Sequence, residues 1–143
     1  MALPTTLTLE IVTPDRALAH GEVDEVQLPG AEGYLGILPG HTPLLVSLRV
    51  GEMWYRQGTE IHYLFVAFGF AEVLPDRVII LAQTAERAEE IDIERAETAR
   101  LRAAEAEKGA APTQVDMDFE RARIAMMKSL IRLQVAERAR MRR

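Results

Sequence analysis

Two short stretches concentrate the residue types that chemistry needs. In "LPGAEGYLGILPGH", Leu28 to His41, a carboxylate (Glu32) and an imidazole (His41) stand among four glycines and two prolines. As a pair, Glu32 and His41 would make a general acid–base couple; the glycines alone would suit a phosphate-cradling loop. Spacing speaks against both. A Walker loop requires a lysine and a hydroxyl residue after its last glycine, where His41 and Thr42 stand, and a dinucleotide fingerprint requires a following helix that no pattern here supplies. His20 and His62 stand at no metal-ligand spacing, and no serine or cysteine nucleophile context is evident, so no catalytic residue and no metal site is expected. The stretch reads instead as a turn-rich loop carrying a protein contact, with its glycines serving backbone geometry. The second stretch is "IDIERA", Ile91 to Ala96. Here Asp92 offers a carboxylate acceptor and Arg95 a charged donor one helical turn later, on the same side of a helix. The alternative is an ordinary helix start, with Asp92 as N-cap and Arg95 paired to Glu90 or Glu97.

The elements that must position these residues change character near Glu86. Before it lie six of the seven prolines, eight of the nine glycines and all but one of the aromatics. Short apolar runs fenced by turn residues predict strands at 7–13, 22–28, 44–50, 52–57, 60–69 and 77–82. Hairpins are expected at Gly58 and at Pro75–Asp76. Spacing of this kind favours an antiparallel sandwich or barrel. After Glu86 come two alanine-rich segments, 91–107 and 116–139, separated by "KGAAPT". Ala96, Ala99, Ala103 and Ala106 make a stripe of methyl groups, and Phe119, Ala122, Met126, Ser129, Leu133 and Ala136 make a matching one, which predicts an antiparallel helical hairpin. Ile124, Met127, Ile131 and Val135 form a neighbouring apolar face that a narrow partner stripe cannot cover. Asp116 and Asp118 are placed to cap the second helix, and its terminal arginines suit the negative end.

Composition excludes several function classes. A chain of 143 residues with 48% apolar composition makes one domain, or one small domain with an appendage. The absence of cysteine removes disulfides and thiolate chemistry and fits a reducing compartment. No secretory signal is visible at the N-terminus, and the longest apolar run, Tyr63 to Ala71, is about half of a membrane-spanning helix. Residues 121–143 carry eight basic side chains against Glu137 alone, whereas acidic residues prevail in the rest of the chain. Such an arm seeks an acidic protein surface; nucleic acid is not expected, because the arm lacks interleaved aromatics and the remainder is acidic.

The run "EGYLGILPGHTPLLVSLRVGEM", then "GFAEVLPDRVIILAQTAERAEEIDIERA", then a helical hairpin, resembles the epsilon subunit of bacterial F-type ATP synthase over essentially the whole chain. The resemblance implies an α+β fold: a ten-stranded antiparallel β-sandwich over residues 1–87, then a helix-turn-helix regulatory domain over 88–143. It implies a non-catalytic rotor subunit that couples proton flow to ATP synthesis and inhibits ATP hydrolysis. Its partners would be the gamma subunit, the c-ring and the catalytic beta and alpha subunits, at the cytoplasmic face of the plasma membrane, with membrane contact only through the complex. Glu32, Gly33 and Tyr34 would meet the c-ring, although relatives often carry a polar residue where Tyr34 stands. His41 and Val46 would face gamma, and Arg132, Arg138 and Arg140 would reach the beta subunits. "IDIERA" resembles the signature through which some relatives bind regulatory ATP. That likeness adds Glu86, Ile91, Asp92, Arg95, Ala96, Lys128 and Arg132 as candidate ATP residues, with Lys128 standing where relatives use an arginine. No cofactor is required. Two rivals remain: a small β-sandwich enzyme using Glu32 and His41, and a free-standing nucleotide-sensing adaptor.

Overall fold

The computed structural model describes residues 3–109 and 116–141, with side chains described for all of these except 107–109 and 116–118. Eight strands run in chain order: β1 (Leu7–Val12), β2 (Ala17–Val23), β3 (Glu25–Gly30), β4 (Gly33–Ile37), β5 (Leu44–Leu48), β6 (Gly51–Gln57), β7 (Glu60–Leu74) and β8 (Arg77–Arg87). A single 3-10 turn (Ala88–Glu90) leads to α1 (Ile93–Gly109) and α2 (Asp116–Met141). The capping assigned to Asp116 and Asp118, and most of the "KGAAPT" breaker, lie outside the described side chains.

The sheet folds over on itself because its two longest strands bend. Pairing of β7 with β8 runs from Leu64–Arg87 to Ala67–Thr84, skips a position, and resumes from Gly69–Ala82 to Leu74–Arg77. At the skip, Phe68 and Gly69 both have positive φ (62° and 122°). Only glycine fits the second position, since a Cβ there would lie 2.1 Å from the Leu81 carbonyl oxygen. Before the bend β7 pairs with β6; after it, with β5. Ten strands are therefore reached only if each bent strand is counted twice. One pairing also departs from the antiparallel expectation. β1 lies parallel to β8, which the topology permits because the two are distant in the chain and no hairpin joins them.

Several predicted strand bounds need correction, and β7 and β8 run on to Leu74 and Arg87, past the expected ends at Gly69 and Ala82. Residues 22–28 are divided at Asp24 between β2 and β3; Asp24 Oδ2 accepts the Gly58 N–H at 2.6 Å there, and the Asp24 N–H donates to the Arg56 carbonyl. β4, "GYLGI", lies inside what reads as a loop, because two glycines dilute its alternation. The hairpins at Gly58 and Pro75–Asp76 are as expected. Leu7, Leu9, Ile11, Val26, Leu28, Ile37, Met53, Leu64, Val66, Val73, Val78 and Ile80 fill the sandwich, each from an alternate position of its strand.

α1 and α2 pack on each other. Ala96 and Ala103 of α1 are buried, as are Ala122, Ser129 and Ala136 of α2, so small residues bring the two backbones close. Ala106 and Phe119 are exposed, and the expected stripes end short of them. The sandwich covers half of the second apolar face of α2, Ile131 and Val135, whereas Ile124 lies outside that cluster and Met127 stays exposed. Ile131, Val135, Ala136 and Ala139 cluster with Val50, Tyr63, Phe65, Ala67, Ala88 and Ile91 on the outer side of β6 and β7.

Candidate functional site

Where the hairpin meets the sandwich, a cavity of about 380 Å³ is lined by Glu86, Glu90, Ile91, Asp92, Arg95, Ala96, Ala99 and Arg132. β8 supplies Glu86 at its end, the turn and the head of α1 supply residues 90–99, and α2 supplies Arg132 from the far side. Its volume lies within the range of small-molecule sites. Ile91, Ala96 and Ala99 give it an apolar wall. Asp92 is the N-cap of α1, its Oδ1 accepting the Arg95 N–H at 3.1 Å. The expected pairing of Arg95 does not form: Glu97 binds Arg100, and Glu90 binds Arg16 and Arg87. Among the described residues the Arg95 guanidinium has no ion-pair partner. The hydrogen bond from Arg16, at 2.6 Å, holds the Glu90 carboxyl below the usual carboxylate range, against a smaller opposing effect of burial.

Arg132 enters this cavity already engaged. Its Nε donates to Glu86 Oε1 at 2.8 Å, and its guanidinium lies over the Phe65 ring, 4.4 Å from the centroid. Six of the seven residues expected to take up ATP thus come together. Lys128 does not join them; its ammonium lies 5.6 Å from the Phe68 ring centroid, and the residue is absent from the cavity lining. The charge inside is three carboxylates against two guanidiniums, and Glu86 engages Arg132 through Nε.

The sandwich presents two further surfaces. An open groove of about 550 Å³ is lined by Glu32, Gly33 and Tyr34 at the β3–β4 turn and by Leu44, Leu45, Val46 and Ser47 of β5. It brings the residues expected at the c-ring beside Val46, which packs against the core. His41 stands outside it, its Nδ1 donating to the Thr42 carbonyl at 2.6 Å. Glu32 and His41 make no hydrogen bond to one another, and the acid–base couple does not form. The second surface has no precedent in the sequence reading. Val12, Leu81, Phe70 and Ser47 are neighbours in register across β1, β8, β7 and β5, and Leu81 and Phe70 are 56% and 55% exposed, beside Leu45 at 70%. A contiguous exposed apolar row of this kind marks a docking face. It lies on the part of β7 beyond Gly69, in the run "YLFVAFGFA", whose unbroken apolar character does not tell exposed positions from buried ones. Knowledge of the bend would have been needed to see it.

The basic end of α2 is docked on the sandwich. Arg138 Nε lies 3.4 Å from both oxygens of Glu52, a carboxylate only 5% exposed, and its guanidinium lies 5.2 Å from the Tyr63 ring centroid. Gln134 Nε2 donates to Glu52 Oε2 at 3.3 Å. Among the described residues Arg140 pairs only with Glu137 of its own helix. Glu52 is a partner of α2 that sequence reasoning missed; a lone glutamate at the start of a strand carries no signal of its distant partner.

Comparison with known proteins gives matches over the whole length. The family model described as "ATP synthase, Delta/Epsilon chain, beta-sandwich domain" matches residues 6–88, and "ATP synthase, Delta/Epsilon chain, long alpha-helix domain" matches residues 89–137. A protein named ATP synthase epsilon chain from Solibacter usitatus is 45% identical over 136 residues, covering 95% of this chain and 99% of that one. ATP synthase epsilon chain 2 of Syntrophotalea carbinolica is 43% identical over 132 residues, covering 92% and 94%. Among solved structures, a chain of the Euglena gracilis mitochondrial ATP synthase (OSCP/F1/c-ring) superposes with a TM-score of 0.79 at 22% identity, covering 99% of this chain and 84% of that one, which is a likeness of fold.

Proposed function

The chain belongs to the delta/epsilon-chain family of ATP synthases, and on that premise we propose that it is the epsilon subunit of a bacterial F-type ATP synthase, a non-catalytic part of the central stalk. Residues 1–87 hold gamma and the c-ring and turn with them, coupling proton flow to ATP synthesis at the cytoplasmic face of the plasma membrane. Residues 88–143 restrain hydrolysis when α2 leaves the sandwich and its arginines reach acidic loops of the catalytic beta subunits. ATP in the cavity lined by Glu86, Asp92, Arg95 and Arg132 bridges sandwich, α1 and α2, and so favours the docked hairpin. Among the described residues no helix is long and apolar enough to cross a membrane.

The observation that carries this reading is the docking of α2. A helix bearing the arm's arginines lies on its own sandwich, partly through charged contacts, with a nucleotide-sized cavity at the junction. Gamma is assigned to the exposed row of Val12, Leu81, Phe70 and Leu45 together with His41 and Val46, and the c-ring to the turn at Glu32–Tyr34. Co-purification tests the assignment. A tagged chain should bring down the gamma and c subunits, and Phe70→Glu with Leu81→Glu should abolish that while the isolated variant keeps its folded spectrum. Since the cavity needs no second chain to form, a free-standing nucleotide sensor is the other reading; it would bind ATP and bring down no ATPase subunit.

A further inference from the structure

Arg132 and Arg138 sit in two receptacles of the same construction, each an aromatic face with a carboxylate beside it. The carboxylates share one row of the sheet: Glu52 of β6 and Glu86 of β8 are both cross-strand partners of Phe65 of β7. Two strand spacings of about 4.8 Å put their backbones roughly 9.6 Å apart. Along α2, the six residues from Arg132 to Arg138 rise by about 9 Å. The helix therefore crosses the strands with its two guanidiniums in step with the two carboxylates. Tyr63 and Phe65, on the same face of β7, complete the receptacles, and Gln134 takes part of the second acceptor.

We propose that the row Glu52–Phe65–Glu86 is an internal acidic decoy for α2. It holds Arg132 and Arg138 in the arrangement that an external acidic surface must offer, carboxylates about 9 Å apart, so that docking on the sandwich and contact with the partner exclude one another. This rests on the inhibitory role proposed above for the arm. Glu52 is the member of the row that lies outside the nucleotide cavity, and it sets the docked population whether or not nucleotide is bound. Both of its side-chain partners, Gln134 and Arg138, come from α2, which makes the pair responsive to reversal of either charge.

The chain has no cysteine, so introduced cysteines are the only thiols to label. Energy transfer between dyes at Thr59→Cys and Leu130→Cys, both exposed, reports docking in the full chain. Glu52→Lys and Arg138→Glu should each lower the docked-to-undocked ratio about tenfold, and the double variant should return it to within about threefold of the parent. Single variants without effect, or a double variant worse than either, would overturn the decoy. In the assembled ATPase the two reversals should part company. Glu52→Lys frees an intact arm and should deepen inhibition, whereas Arg138→Glu frees a damaged arm and should relieve it. Undocking and rescue in the isolated chain, with hydrolysis indifferent to both variants, would leave the receptacles standing and overturn the inhibitory role of the arm.

Discussion

Val135 is the side chain on which apolar docking of α2 should depend most. It is fully buried and packs among Val50, Phe65, Ala67, Ala88 and Ile91, outside the cluster that fills the sandwich. Val135→Ala removes two methyl groups, worth about 0.8 kcal/mol each in transfer, and leaves a gap that the stiff face of β7 cannot close; the sum is about 2 kcal/mol. Because the contact is between α2 and the sandwich, this loss should fall on docking and shift it by roughly thirtyfold. Hydrogen exchange separates the consequences. Amides of residues 119–141 should lose protection while those of β1, β3 and β8 keep theirs. Met127→Ala, at a residue 42% exposed, is the control and should cost less than about 0.5 kcal/mol. If Val135→Ala changed exchange in α2 no more than the control, or if the core strands loosened together with α2, the separation between sandwich core and docking face would be wrong.

Titration of the isolated chain with ATP should show saturable binding near about 1 mM. Asp92→Asn, which keeps the N-cap oxygen, and Arg132→Ala should weaken it severalfold, whereas Lys128→Arg should leave it unchanged because Lys128 stands over Phe68 instead of the cavity. Equal effects of all three would refute that placement. Acid should loosen the turn at residues 88–90: the Glu90 carboxyl is held below its ordinary value of 4.5 by Arg16, so the stability it gives is present above that value and lost as pH falls through and below it. Exchange at those amides should rise in that window, and Glu90→Gln should abolish the pH dependence.

The division of the chain into strands and helices was legible because its causes are local. Prolines and glycines punctuate the first part, and alanine at helical spacing marks the second. β2 and β4 escaped because glycine, alanine and histidine blur alternation on an edge strand, and the bend at Phe68–Gly69 escaped because positive φ at phenylalanine has no sequence signal. That the residues around "IDIERA" share one cavity with Glu86 and Arg132 was anticipated through resemblance together with helical spacing. Lys128 was misplaced by the same resemblance, since a helix position says which turn a side chain occupies and not which aromatic draws it away. Glu52 lies 86 residues from Arg138, and a pair at that distance follows only from the way in which the hairpin docks. It also alters the meaning of the cationic arm. Arg132 and Arg138 are not waiting in solvent for a partner, and Arg140, tied only to its own helix, is the arginine of the three that the sandwich does not hold.

The central claim is that the strands attach this subunit while the helices regulate, and hydrolysis by the assembled ATPase tests it most directly. The complex should be prepared with the full chain and with a chain ending at Arg87, the last residue of β8. The shortened chain should still assemble with gamma and the c-ring, and hydrolysis should rise above that of the full-length complex. A shortened chain that folds but fails to assemble, or one that assembles and leaves the rate unchanged in a complex that the full chain inhibits, would contradict the account.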